Sequence, residues 1–184
     1  MLRNKVRSEK DRTMITVDAA REIAKRHVQS FGEDLTLLEK PVTFGDYGWV
    51  FSYQSKAFIE TNDLRDALAG NAPILIDRDQ GQIFTLGTAY DVSRYVQMYQ
   101  RFGDPHAEPG SSLELCGCRK GANKVMATKQ INEHTQLGLK DAKGAVDACL
   151  DGNTSIVQCA DPESAEMLAH KLSAVGFDIR HLAL

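Results

Sequence analysis

The most constraining stretch of this 184-residue chain is residues 70–88, GNAPILIDRDQGQIFTLGT. Gly-Asn-Ala-Pro is a breaker cluster, and Pro73 suits the first position of a strand because it has no N–H to give a ladder. Ile74-Leu75-Ile76 is a short apolar run of strand length, β-branched at both ends. Asp77-Arg78-Asp79-Gln80-Gly81 is turn chemistry: Asp side chains bond nearby backbone N–H groups, and Gly81 takes positive φ at no steric cost. Residues 82–86 return as a second strand. The stretch therefore predicts a β-hairpin, and a lone hairpin is marginal in water, so other elements must cover it.

Upstream, residues 17–31 carry a helical rhythm, with Val17, Ala20, Ile23, Ala24 and Val28 on one side and Gly32 as the stop. Residues 35–44 and 49–53 read as two strands joined by Gly45-Asp46-Tyr47-Gly48. Trp49, Phe51 and Tyr53 alternate at period two, which places three aromatics on one face, a pattern more often of core than of binding surface. Residues 57–61 read as a third extended segment, and 62–70 as a polar excursion with a helical turn. After the hairpin, residues 89–102 form an amphipathic helix with Val92, Tyr95, Val96 and Tyr99 on the stripe that covers the sheet.

Residues 103–112, GDPHAEPGSS, hold two prolines, two glycines and two serines, and are expected to be a linker. Beyond it, residues 113–118 read as a strand. Asn123 caps a helix from Lys124 to about His134, and residues 139–150 form a second helix with Ala142, Val146 and Cys149 inward. A strand at 155–159, a helix opened by Asp161-Pro162 and a strand at 177–182 complete the order β-α-α-β-α-β. The expected fold class is α+β in two small domains: an antiparallel sheet flanked by helices, then a three-stranded sheet with three helices on one face. The domains are expected at 14–102 and 113–184, with 1–13 as a basic leader and a solvated tail.

Charge separates these parts. Residues 1–13 hold five Lys/Arg against two acids, 14–110 nine against fourteen, and 111–184 eight against nine. No nucleic-acid footprint emerges from that distribution, and the acidic middle suits a basic partner. No run approaches the roughly 20 apolar residues of a membrane span, and the N-terminus lacks the apolar core of a secretory signal. Four cysteines confined to the last third make no disulfide framework, so a reduced, cytoplasmic protein is expected.

Catalytic chemistry finds no footing. Cys116-Gly-Cys118 puts two thiols on one face of a strand, yet no second pair completes a zinc site, so both are expected as small hydrophobes. Asp77-x-Asp79-x-Gly81 opens like a calcium loop, but Thr88 stands where the closing Glu is needed. Phosphate-cradling glycine loops are missing. No catalytic residue, metal site or cofactor is assigned. The other candidate surface is basic: Lys124 and Lys129 on the first helix of the second domain, Lys140 and Lys143 on the next, with Val125 and Leu139 between them. Together they are suited to an acidic protein surface.

Two families are matched by the quoted segments. Residues 14–102 resemble the immunity protein 35 family (YrhB-like domain). MITVDAA, GWVFSYQSKAFIETND, GNAPILIDRDQGQIFTLGTA and VSRYVQMYQ carry the resemblance in the expected order. It implies a non-enzymatic protein that neutralises a toxin of a bacterial polymorphic or contact-dependent system by direct binding. Residues 113–184 resemble the C-terminal domain of the bacterial ribosomal stalk protein, through GANKV and LGLKDAK. That resemblance implies recruitment of a translation GTPase through Lys124, Val125, Lys129, Gly138, Lys140 and Lys143. Thr128 departs from the usual isoleucine, and Asn132 from the usual basic residue. The stalk protein's dimerising domain and hinge have no counterpart.

The resulting expectation is an immunity protein that inhibits a cognate toxin by occlusion, with wedge residues from the aromatic strand (Trp49, Phe51 and Tyr53) or from loops of the first domain, because aromatics anchor interfaces. The alternatives are a translation-associated adaptor that binds an elongation factor through the second domain, or a chaperone-like holdase. The expected partners are a protein toxin and, second, a translation GTPase, with neither nucleic acid nor membrane. The sequence assigns no oligomeric state.

Overall fold

A computed structural model describes residues 14–184, and the basic leader 1–13 lies outside the described residues. The chain divides into two compact α+β units, the first running to His106 and the second starting at Ala107.

In the first unit, α1 (Val17–Gln29) begins on Thr16, whose side chain accepts from the Ala19 N–H. It is followed by β1 (Leu35–Leu37), β2 (Val42–Phe44), β3 (Gly48–Phe51) and β4 (Tyr53–Ser55). Next come α2 (Lys56–Thr61), a 3-10 turn at Leu64–Asp66, β5 (Ile74–Asp77), β6 (Ile83–Thr85) and α3 (Val92–Phe102). The main sheet runs β2-β3-β5-β6, antiparallel throughout, and β1 pairs separately with β4.

Register explains why Ile74-Leu75-Ile76 is apolar at every position. Trp49 lies opposite Ile76, Val50 opposite Leu75 and Phe51 opposite Ile74. Trp49, Phe51, Ile74 and Ile76 pack with Ala20, Ala24 and Val28 of α1 on one face. Val50 and Leu75 pack with Leu86, Tyr95 and Val96 on the α3 side. The central strands are thus buried on both faces, and alternation gives way to a continuous apolar run. The predicted hairpin is β5–β6. Its Asp77 is buried, and its Oδ1 accepts from the N–H groups of Gln80 and Gln82 at 2.8 and 3.0 Å.

Several expectations change here. Residues 35–44 are not one strand: β1 and β2 belong to different sheets, with Pro41 between them. Residues 49–53 likewise break at Ser52, so that β4 leaves the main sheet to pair with β1. Residues 57–61 are helical, because Ser55 accepts from the Phe58 N–H and Asn62 closes the turn in the left-handed region at φ 55°. Local capping outweighs the β propensity of Phe58 and Ile59.

The second unit consists of β7 (Pro109–Cys118), α4 (Lys124–His134), α5 (Leu139–Leu150), β8 (Ser155–Gln158), α6 (Pro162–Ala174) and β9 (Phe177–Ala183). This is the predicted β-α-α-β-α-β order, with strands arranged β8-β7-β9. Leu113, Leu115, Ile131, Val146, Leu168 and Phe177 are among the side chains of its single core. The expected linker is shorter than 103–112, since Pro109 pairs with Ala183 and Ser112 with Gln158 inside the sheet. A side chain on Gly110 would come within 2.9 Å of the Leu182 carbonyl, so its glycine reflects strand packing rather than linker composition. A bulge between Leu115 and Gly117 also separates the two thiols expected on one face of the strand. Cys116 is exposed, whereas Cys118 packs against the core.

Candidate protein-interaction site

The predicted basic residues of the second unit stand on α4 and α5, where Lys124 and Lys143 both act on Asp147. Asn123 caps α4 by accepting from the Met126 N–H at 3.1 Å. From there α4 turns Ala127 and Ile131 into the core and leaves Lys124, Val125 and Lys129 outside. Asn132 donates to the Leu137 carbonyl at 2.8 Å, which ties the end of α4 to the connection. Gly138 starts α5 without a side-chain cap. Ala142, Val146 and Cys149 point inward, so Leu139, Lys140 and Lys143 face solvent.

Two apolar side chains on the same helices are exposed, Val125 of α4 at 71% and Leu139 of α5 at 64%. Lys143 pairs with Asp147 one turn on, and Lys129 with Glu133 at 3.7 Å. The Asp147 carboxyl is held below the usual range chiefly by its hydrogen bond from Lys143, with the charge of Lys124 adding to the effect. Lys124 of α4 and Lys143 of α5 therefore act on one carboxylate. Thr128 turns its hydroxyl to the Lys124 carbonyl at 2.8 Å. The α4 end is braced against α6: His134 Nδ1 bonds the Gln130 carbonyl at 2.9 Å and its Nε2 meets Lys171 Nζ at 2.8 Å. The four lysines thus share α4 and α5 with exposed Val125 and Leu139, and two of them are paired with a carboxylate one turn on.

The aromatic row of the first unit lies elsewhere. Trp49 is 4% exposed and Phe51 0%, both under α1, and Tyr53 is half-buried beside them. Trp49 is further covered by the Arg78 guanidinium, 4.8 Å above its ring, which Asp46 pairs at 3.0 Å. The wedge reading of Trp49 and Phe51 is corrected: period-two aromatics here face a helix, not a partner. The sequence reading also passed over Leu64, which stands 82% exposed on the 3-10 turn. A single leucine in a polar segment carries no periodic signal.

No catalytic arrangement accompanies these surfaces. The exposed Cys116 thiol is pushed up by burial and then by the charge of Glu114, the reverse of an activated nucleophile. Asp77 spends its carboxylate on the hairpin turn and Tyr99. Among the described residues no group of three or more His, Cys, Asp or Glu side chains is placed to hold a metal ion. Nor is any described helix long and apolar enough to cross a membrane.

The fold defines a protein built from two small α+β modules. The chain belongs to the immunity protein 35 family, whose model matches residues 18–111, and the ribosomal protein L7/L12 C-terminal domain model matches residues 118–180. Both families are non-catalytic. The chain is 47% identical to the uncharacterized protein YrhB of Escherichia coli over 53 residues, covering 29% of this chain and 56% of YrhB. It is 36% identical to large ribosomal subunit protein bL12 of Dichelobacter nodosus over 72 residues, covering 39% and 57% of the two chains. For bL12 of Clostridioides difficile the identity is 34% over 74 residues, covering 40% and 59%. The chain spans a little over half the length of these curated relatives. No solved structure matches it.

Proposed function

We propose that the chain is an immunity protein that binds a cognate bacterial toxin and blocks it by occlusion. The carrying observation is the family match across residues 18–111, the segment that folds into the first unit's sheet and its two covering helices. Occlusion demands a stable scaffold and an exposed contact surface, without titratable groups poised for chemistry, and the first unit has that character. The test is recovery of the tagged full chain from its native cells, followed by co-expression of each recovered protein with and without it. Rescue of growth by stoichiometric binding is the expected result. A bound toxin whose activity is unaffected would falsify occlusion.

A second reading rests on exposed Val125 and Leu139 and the lysines of the same two helices, which suit an acidic protein surface such as that of a translation GTPase. In that reading the second unit is an adaptor. Charge reversal at Lys124, Lys129 and Lys143 separates the two. Toxin neutralisation survives those changes if the first unit does the work, whereas elongation-factor binding is lost if the second unit does.

A further inference from the structure

Residues 54–71 of the first unit are fastened together by their own polar side chains. Gln54 accepts from the Leu68 N–H at 2.6 Å and donates back to the Leu68 carbonyl at 3.3 Å. The Ser55 hydroxyl, buried at the start of α2, donates to the Asp66 carbonyl at 2.5 Å and accepts from the Phe58 N–H. Asn71 donates to the Tyr53 carbonyl at 2.6 Å. Asp63 caps the 3-10 turn and grips the Arg65 guanidinium. A segment this well tied has little freedom left to lose on docking.

At the crest of that scaffold stands Leu64, 82% exposed, and Ile59 on α2 is 50% exposed. An apolar side chain held in water gains only when something covers it. Their surroundings are acidic. Glu60, Asp63 and Asp66 lie in the segment itself, and Lys56 anchors it to the adjoining Glu33 and Asp34 through their backbone carbonyls. Counting Glu33 and Asp34 with the segment, five acidic residues stand against two cations, Lys56, whose Nζ donates to the Glu33 backbone carbonyl at 2.6 Å, and Arg65, which is paired with Asp63.

We infer that Leu64 is the apolar anchor by which the first unit seizes its toxin, and that the toxin's contacting surface is a hydrophobic socket rimmed by Lys and Arg. The inference rests on the immunity reading and names the surface that reading requires. An acidic segment carrying an exposed leucine steers a basic partner and fixes its register, while the leucine supplies the desolvated contact. A basic partner also fits the excess of acids over residues 14–110.

The test uses the full chain in its native cells with a photoreactive benzoylphenylalanine at Leu64, and in parallel at Val125 and at Val42. Captured proteins are identified by mass spectrometry and assayed for toxicity with and without the wild-type chain. The expected result is capture of a basic toxin domain at Leu64, with L64D weakening its binding roughly thirtyfold or more. Thermal unfolding of L64D should match wild type, because the side chain is already in water. Protection by L64D equal to wild type, capture of the toxin only at Val125 or Val42, or an acidic contacting surface overturns the inference. Capture at Leu64 of a protein without toxicity retains the docking surface and overturns the immunity reading instead. Capture at no position, with no protection, overturns both.

Discussion

The Tyr99 hydroxyl of α3 donates to the buried Asp77 carboxylate at 3.3 Å, joining a covering helix to the turn of the hairpin it covers. One carboxylate thereby serves two tasks, since its other oxygen organises the turn through Gln80 and Gln82. Replacing Asp77 with alanine leaves two backbone N–H groups and a phenol without their acceptor. We expect a loss of about 2–4 kcal/mol, set by the desolvation cost of the orphaned groups. Urea unfolding monitored by Trp49 fluorescence measures it, and a loss below about 1 kcal/mol would show that solvent takes over Asp77's role.

The same contact has a pH signature. Burial first, and the Asp77 charge second, push the Tyr99 phenol above its ordinary value of 10.0. The unfolded chain releases that proton near the ordinary value while the folded chain retains it, so above about pH 10 the folded state binds more protons. Tyr99's contribution is therefore complete below that pH and is lost as pH rises toward the folded value. Above about pH 10, stability of wild type should fall more steeply than that of Tyr99→Phe. Parallel curves for the two proteins would contradict this account.

Gly48 is the position where a side chain is least tolerable. Its φ is +154°, and a Cβ there would fall 2.2 Å from the Ile76 carbonyl oxygen, part of the β3–β5 ladder. Gly48→Ala must part the two central strands, at a cost of about 2 kcal/mol or more. Hydrogen exchange should show the loss in β3 and β5, with α4–α6 of the second unit unchanged.

Trp49 separates core from interface directly. Trp49→Ala removes a side chain packed between α1 and the sheet and should cost about 3–5 kcal/mol of first-unit stability. Binding should be lost only in proportion to unfolding. A folded Trp49→Ala variant with selectively weakened binding would return the aromatic to a contact role.

Thiol chemistry should follow the bulge in β7. In the folded protein, iodoacetamide at neutral pH should label exposed Cys116, more slowly than a free thiol because burial and Glu114 disfavour its thiolate. Cys149 and Cys159 are buried and their thiols are likewise pushed up, so they should react only on unfolding. Peptide mapping after timed quenching gives the order.

Much of the scaffold was legible because local chemistry and burial agree. Asp77, Gly81 and the flanking isoleucines specify the hairpin wherever it sits, and Asn123 and Asp161 mark helix starts that the structure retains. The second unit's order of elements follows from such signals, since each helix carries one inward stripe against one sheet face. Period two placed Trp49 and Phe51 on a common face, but only tertiary structure decided that α1 covers it. Ser55 and Asn62 are local caps that make α2 of an apparent strand, whereas pairing with β9, a tertiary contact, drew Pro109 out of a linker. Alternation, capping and turn residues act within a few positions of the chain, so the sequence by itself determined elements and facings. Which facing is buried, and which leucine is left standing in water, depends on partners many residues away, and packing alone decided it.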